Sequence, residues 1–197
     1  QAASGSAAPA RPASSSPVSS AVADAASSEA AAASSVPAPE DGVLVAYFSA
    51  TGNTRAVAEK IAALTGGDLY EIVPAQPYTS EDLDWRNSQS RSSQEMDDPD
   101  ARPEIAGSPV EMDGYGTLYL GYPIWHGQAP RILSTFVESC DLEGVRVIPF
   151  CTSGSSGIGS SADSLAEQVG GGAWLEGRRF DSGVPDSELQ AWIDGLA

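Results

Sequence analysis

The sequence contains one histidine and two cysteines, which leaves little material for a metal site or a disulfide framework. His126 stands alone, whereas a protein metal site needs several such ligands. Cys140 is predicted at the end of a helix and Cys151 at the end of the next strand, which places them about 15 Å or more apart, too far for a disulfide. We therefore predict no metal site and two separate thiols.

Basic side chains are also scarce, with 10 lysines and arginines against 27 acidic residues and a net charge of −17. Residues 42–197 contain 9 basic and 23 acidic side chains, so this part alone carries −14. Such a surface repels nucleic acid and anionic membranes and attracts a basic protein. A solvated acidic surface without a partner is the alternative, and the commoner case. No apolar run approaches the roughly 20 residues of a membrane span. A nucleic-acid partner is therefore not expected.

The first 40 residues have almost no large apolar side chain. Fifteen are alanine, eleven serine and five proline, a composition that cannot form a packed core. We predict that residues 1–41 are a disordered Ala/Ser/Pro-rich linker or tail, and that residues 42–197 form one domain, which is long enough for one core. The prolines weaken the alternative, an alanine-rich helix.

A tether of this kind ahead of a compact domain is compatible with two locations. One is extracytoplasmic, with the domain held at a membrane through a segment upstream of Gln1, where the chain here begins. The other is cytoplasmic, with the segment serving as a linker from a larger protein. The signal that decides between them lies upstream.

Strand and helix patterns alternate after residue 41. Short apolar runs predict strands at 43–48, 69–73, 117–123, 145–150 and within 173–180, and helical spacing predicts helices at 54–64, 130–140, 160–169 and 185–196. This alternation is typical of a parallel sheet with helices on both faces. We predict an α/β fold of three layers, with a doubly wound, five-stranded parallel sheet whose ligands bind beyond the carboxyl ends of the strands.

One long segment, residues 74–115, separates the second and third strands. It is polar, with a short helix predicted from about Glu81 to Met96 and three prolines interrupting the residues after that helix. Loops of this length in compact domains are usually functional or disordered. We interpret it as an insertion over the carboxyl edge of the sheet, with Trp85, Arg86 and Arg91 as candidates to cover a ligand there.

The first strand ends in a loop of small and polar residues, 49–54. Gly52 lets the backbone approach a ligand, the side chains supply hydroxyls and an amide, and the start of the next helix adds free N–H groups. No basic residue precedes Arg55 in this loop. We interpret the loop as a phosphate site made of neutral donors. An ordinary helix N-cap, with Ser49 or Thr51 capping, is the alternative.

Two further loops come after the third and fourth strands. In the stretch GYPIWHG, Trp125 is well placed to stack on a flat ring, and the alternative is a tryptophan packed beneath the insertion. His126 is either a wall or donor beside that ring, or a solvent-facing side chain. The stretch CTSGSSGIG offers hydroxyls and N–H groups suited to the polar edge of a ring, and a flexible glycine-rich turn is its alternative.

Together the motifs S-x-T-G-N-T after the first strand and G-Y-P-I-W-x-G after the third resemble those of the flavodoxin family. The resemblance implies a flavodoxin-like fold over residues 42–197 and FMN as cofactor, with the phosphate in the first loop and the isoalloxazine between the other two. It implies no catalytic residue. The cofactor-binding residues it predicts are Ser49, Ala50, Thr51, Gly52, Asn53, Thr54, Pro123, Ile124, Trp125, His126, Gly127, Thr152, Ser153, Gly154, Ser155 and Gly157.

The function implied is one- or two-electron transfer by an acidic flavoprotein to an unidentified redox partner protein or a small-molecule acceptor. An FMN-dependent NAD(P)H:quinone or nitro reductase on the same fold and a flavin-free binding module are the alternatives, so enzymatic activity stays open. Acidity without a cation in the phosphate loop disfavours the anionic, fully reduced form of a flavin, which predicts a low potential for the semiquinone-to-hydroquinone step.

Overall fold

The structure, a computed structural model, describes residues 42–196, so the prediction for residues 1–41 lies outside the described residues. The helices and strands are, in chain order, β1 Gly42–Tyr47, α1 Asn53–Thr65, β2 Asp68–Glu71, α2 Arg91–Asp97, β3 Tyr115–Pro123, α3 Arg131–Ser139, β4 Arg146–Thr152, α4 Ser161–Val169, β5 Ala173–Trp174, β6 Arg178–Phe180 and α5 Asp186–Asp194. Within this part, no helix has the length and apolar character needed to cross a bilayer.

The strands form one parallel sheet in the order β2-β1-β3-β4, with β5 and β6 both paired to β4 at the edge. The order reverses beside β1, as a doubly wound sheet requires when every crossover is right-handed. The predicted fold, a three-layer α/β structure with a doubly wound parallel sheet, is confirmed. The carboxyl ends of β1, β3 and β4 lie side by side at its centre.

The fifth position of the sheet is shared by two short strands rather than one. Arg146 pairs with Ala173 and Phe150 pairs with Arg178, so the edge chain holds one extra residue between these pairs. Pro149 lies in the interval and has no N–H to donate to the edge strand. The interruption therefore results from a proline in β4, and it sets which residues of β6 stand beside the end of that strand.

Helices cover both faces of the sheet and bury two apolar layers. On one face, α1 and α5 pack Val57, Ile61 and Leu189 against β1, β3 and β4. On the other, α3 and α4 pack Phe136 and Leu165 against the same strands. Alternate side chains of each central strand enter opposite layers, which explains why these strands read as continuous apolar runs.

The helix of the insertion is shorter than predicted. It occupies Arg91–Asp97 with Ser90 as its N-cap, whereas the prediction began at Glu81. The preceding residues form turns, because the side chains of Asp82, Asp84 and Asn87 accept hydrogen bonds from backbone N–H groups two or three residues away. Such local bonds compete with helix formation, and apolar spacing alone does not reveal them.

The insertion packs along α3 and reaches the carboxyl edge of the sheet. Arg102 pairs with Glu138 at 2.7 Å, and the Thr135 hydroxyl donates to the Pro103 carbonyl at 2.9 Å. A cavity of about 220 Å³ remains between this part of the insertion and α3, well away from the central strand ends. Cys140 and Cys151 are both free thiols, as predicted.

Candidate cofactor site

Three loops meet at the carboxyl edge of the sheet. We call residues 49–54 the first loop, 123–127 the second and 152–157 the third. Hydrogen bonds between backbones hold them together: the Phe48 N–H donates to Gly121 at 2.9 Å, and the Ile124 N–H donates to Thr152 at 3.0 Å. The three predicted motifs are therefore adjacent in space, although about 100 residues separate the first from the third.

The first loop opens the N-terminus of α1 toward solvent. Gly52 is the N-cap residue with φ 84°, in the left-handed region, and no side chain among the described residues caps the helix. The first helical hydrogen bond runs from the Ala56 N–H to the Gly52 carbonyl at 3.1 Å, so the N–H groups of the first turn ahead of it stay available. The N-cap alternative, with Ser49 or Thr51 capping, is therefore wrong.

An unsatisfied buried hydroxyl marks the same loop. Ser49 Oγ is buried and has no hydrogen-bond partner within residues 42–196. Buried polar atoms nearly always have a partner, because leaving one unpaired costs about 1–3 kcal/mol. A phosphate oxygen accepts from both a hydroxyl and helix N–H groups. The loop thus fits an anion held by neutral donors, which is the set that the FMN phosphate requires.

A buried hydrogen bond links the first loop to the third. The hydroxyls of Thr54 and Thr152 lie 2.8 Å apart, and both side chains are buried. Each hydroxyl has one proton, so the pair uses one proton internally and keeps one for another acceptor. The pair therefore has one proton to offer a ligand, and the role of Thr54 as a phosphate donor stays a prediction.

We expect Thr54→Val and Thr152→Val each to lower the free energy of unfolding by about 1–3 kcal/mol, since each leaves one buried hydroxyl unpaired. The double variant should cost less than the sum of the two, because both hydroxyls are then gone. Chemical denaturation of the three variants measures the coupling. Additive costs would show that the two hydroxyls bond elsewhere.

The second loop is a tight hairpin turn. Trp125 and Gln128 exchange two backbone hydrogen bonds of 2.9 and 2.8 Å, and His126 and Gly127 between them have φ of 47° and 81°. Positive φ at both central positions is typical of a type I′ turn. Among residues 42–196, His126 is the only non-glycine residue with φ in the left-handed region. It lies at the tip of the turn, at the edge of the sheet, with its side chain exposed.

His126 is exposed but not free of the rest of the chain. Its Nε2 lies 3.4 Å from the hydroxyl of Ser93 in α2. Ser93 is buried and also receives a hydrogen bond from the Ser90 hydroxyl at 3.0 Å. The insertion therefore contacts the second loop through α2. The role predicted for His126, as a wall or donor beside a ligand ring, stays a prediction.

Trp125 packs in an aromatic cluster that the insertion completes. Its ring lies edge-to-face with Phe48 at 5.5 Å and with Tyr78 at 5.2 Å between centroids. The contact with Tyr78 matches the alternative in which the tryptophan packs beneath the insertion. Trp125 stays partly exposed, so stacking on a flavin stays a prediction beside this packing role.

A charged clamp holds Tyr78 in place. Its hydroxyl donates to Glu95 at 2.5 Å, and the Arg91 guanidinium lies 4.1 Å from its ring centroid while pairing with Glu95 at 2.6 Å. Burial, together with this carboxylate, raises the pKa of Tyr78 well above its usual value. Arg91 thus helps to position Trp125 by holding Tyr78, which packs against it. Trp85, another candidate to cover a ligand, is 66 % exposed.

The third loop is held by bonds to its backbone. The Ser153 hydroxyl donates to the Ser156 carbonyl, and Arg179 of β6 donates to the Ser153 carbonyl at 2.8 Å. Gly154, Ser155 and Gly157 are exposed. The loop therefore has a fixed base and an open tip, and its role at the polar edge of a ring stays a prediction.

Comparison with known proteins decides the family. A family model described as Flavodoxin matches residues 42–196. The chain belongs to the flavodoxin family. The predicted family is thus confirmed, and the predicted cofactor, FMN, is confirmed at the level of the family. No curated protein sequence matches the chain significantly.

Solved structures extend the comparison. A candidate flavoprotein of Bacteroides eggerthii DSM 20697 shares 51 % identity over 79 % of this flavodoxin chain and 97 % of its own, with a TM-score of 0.74. One of Bacteroides uniformis ATCC 8492 shares 44 % over 78 % and 98 %, with a TM-score of 0.75. A flavoprotein of Lactobacillus acidophilus NCFM, solved in complex with FMN, shares 22 % over 78 % and 99 %, with a TM-score of 0.60, and shows likeness of fold.

Three residues of this flavodoxin site were missed from the sequence. In the sequence, Phe48 is the last residue of an apolar run that predicts a buried strand, and Tyr78 lies in a segment without regular apolar spacing. Arg179 lies in the predicted fifth strand, which the structure divides into β5 and β6. The only local signal was an aromatic residue that comes after two prolines, at 74 and 77, and ahead of a polar stretch. Their roles depend on which chain segments the fold brings together.

Proposed function

We propose that this protein binds FMN at the three loops and transfers one or two electrons between redox partners. The observation that carries the proposal is the first loop, which holds both a buried hydroxyl without a partner and the uncapped N-terminus of α1. Membership of the flavodoxin family supports the same cofactor.

The chain supplies two kinds of contact. The first loop would hold the phosphate through Ser49, the first-turn N–H groups and the spare proton of the Thr54 and Thr152 pair. The second and third loops would flank the ring, with Trp125 on one side and the backbone from Ser153 on the other. FMN supplies the chemistry itself, since it accepts and releases electrons one or two at a time.

The loops supply what an electron carrier needs, and they offer little for acid–base chemistry on a substrate. His126 is the only ionisable side chain in the three loops, and it lies exposed at the tip of a turn. General acid–base chemistry needs a group placed beside a substrate proton, and electron transfer needs only a ligand close to the surface. The exposed tips of all three loops provide that access.

The acidity of the domain suggests the kind of protein partner. Residues 42–197 carry a net charge of −14, and complementary charge steers association and raises its rate. We propose a redox partner with a basic docking face, a small-molecule acceptor being the alternative. Association with such a partner should weaken as salt is added, because ions screen exposed charges beyond about 8–10 Å.

The purified protein tests the proposal directly. We expect it to be yellow or to take up added FMN with a saturating change in flavin fluorescence, and after chemical reduction to pass electrons to a one-electron acceptor protein. Steady oxidation of NADPH with a quinone, without a further protein, would support the reductase instead. A colourless protein that does not take up FMN would support the flavin-free binding module and overturn the proposal.

A further inference from the structure

Arg179 lies beside the end of β4, where the third loop begins. In the ladder between β4 and β6 it pairs with Cys151, one residue before the loop. Its Nη2 donates to the Ser153 carbonyl at 2.8 Å and to the Asp181 carboxylate at 2.5 Å. A cation therefore supports the base of the third loop, although no lysine or arginine lies in any of the three loops themselves.

The guanidinium is only partly neutralised by its surroundings. Its Nε is buried and has no hydrogen-bond partner in the part of the chain that the structure describes. The side chain of Asp181 is 73 % exposed and that of Arg179 29 %, so water screens the carboxylate more than the guanidinium. Asp181 therefore compensates the charge of Arg179 only in part, and the guanidinium stays the nearer charge to the Ser153 carbonyl that it bonds.

The charge of Arg179 also reaches the last residues of β4. Burial raises the pKa of the Cys151 thiol to about 12, and Arg179 acts in the opposite direction, toward the thiolate. A group on β6 thus influences the end of the neighbouring strand, from which the third loop departs.

Arg178 provides an internal comparison. Successive residues of a strand point to opposite faces, and the guanidinium of Arg178 lies 5.1 Å from the Phe180 ring and 2.7 Å from Glu188 of α5. It has the same charge and strand as Arg179 but belongs to the other layer, away from the third-loop backbone.

We propose that Arg179 sets the electrostatic potential of the third loop and stabilises the negative charge that electron uptake adds to a flavin there. This inference rests on the proposed function, in which the third loop flanks the ring. It also amends the expectation of a low potential from acidity. The carboxylates are mostly exposed and screened, whereas Arg179 is partly buried and bonds the backbone of the third loop. Arg179 therefore offsets part of the lowering of the potential that the carboxylates cause.

Four single variants test the inference: Arg179→Gln, Arg179→Lys, Asp181→Asn and Arg178→Gln. The measurements are FMN affinity by fluorescence and the two-electron midpoint potential by titration against reference dyes. One charge about 10 Å away at an effective dielectric constant of 20 shifts an equilibrium roughly tenfold, which is about 30 mV for two electrons. We expect a downward shift of that size in Arg179→Gln, an upward shift in Asp181→Asn, and little change in the other two.

Each outcome bears on one of the two proposals. Equal potentials in wild type and Arg179→Gln, or an equal shift in Arg178→Gln, would overturn the role of Arg179 while leaving FMN binding intact. A shift in Arg179→Lys as large as in Arg179→Gln would assign the effect to structure rather than charge, and would also overturn it. If Arg179→Gln does not fold, the direction of the shift in Asp181→Asn decides. Wild-type protein that binds no FMN would overturn the proposed function itself.

Discussion

Gly52→Asp is expected to weaken FMN binding by about 30-fold or more. The substitution places a carboxylate where the first loop would hold a phosphate of nearly two negative charges. At a separation of about 4 Å the repulsion is about 2 kcal/mol in water and about 8 kcal/mol at an effective dielectric constant of 20. The lower figure already corresponds to roughly 30-fold in the dissociation constant, which titration with FMN measures.

The surroundings of Gly52 make this a test of the ligand rather than of the fold. A Cβ atom built there meets no described atom within 4 Å, so the side chain enters open space. The φ of 84° strains most residues, but aspartate and asparagine tolerate the left-handed region better than others. The free energy of unfolding without FMN should therefore fall by no more than about 1–2 kcal/mol.

Two matched variants isolate the charge at the phosphate site. Gly52→Asn has nearly the same shape and the same backbone strain without the charge, so we expect only a few-fold loss of affinity. Gly66→Asp adds the same charge to the other end of α1, where φ is 69° and a Cβ also meets no described atom. It should leave FMN affinity unchanged. Equal affinities in Gly52→Asp and Gly52→Asn would place the phosphate elsewhere.

The sheet and its loops could be predicted because their signals are local. β1 and β4 are buried on both faces and read as continuous apolar runs. α1 ends at Gly66, in the left-handed conformation that glycine adopts most easily. The loops of small residues begin directly after the strands end, so their positions follow from the strand bounds. Right-handed crossovers then leave few arrangements of the strands.

The contacts that complete the site could not be predicted, because they depend on pairing between distant segments. Arg179 reaches the third loop only because Pro149 interrupts the edge of the sheet and shifts the register of β6 by one residue. Without that extra residue, Arg179 and Arg178 would exchange faces. The charge at the third loop is thus a consequence of register, which sequence spacing alone does not reveal.

The insertion shows a second limit. Its turns arise from short side chains bonding to nearby backbone, and Tyr78 meets Trp125 through a clamp that spans residues 78–95. Neither contact obeys apolar periodicity. The sequence left two roles open for Trp125, stacking on a ligand ring and packing beneath the insertion. The contact with Tyr78 shows that the packing role is present.

Trp125→Ala is expected to lower both the free energy of unfolding and FMN affinity. Loss of two edge-to-face contacts, at 5.5 Å to Phe48 and 5.2 Å to Tyr78, should cost about 1–3 kcal/mol of stability. Loss of a stacking face for a flat heteroaromatic ring should cost a further 1–3 kcal/mol or so of binding, which is roughly 5- to 150-fold in the dissociation constant. Denaturation of the apoprotein and FMN titration measure the two effects separately.

The two measurements distinguish the roles of the tryptophan because packing acts without the ligand and stacking acts only with it. Trp85→Ala is the matched control, since Trp85 lies in the insertion and is 66 % exposed. It should change neither quantity, and a loss of affinity in this variant would instead make Trp85 the cover of the ligand that the sequence suggested. Tyr78→Leu removes one packing partner and leaves the Trp125 ring in place, so it should reduce stability more than affinity. A Trp125→Ala protein that is less stable yet binds FMN as wild type does would make Trp125 a packing residue alone. The ring would then have to be held by the backbone of the second and third loops.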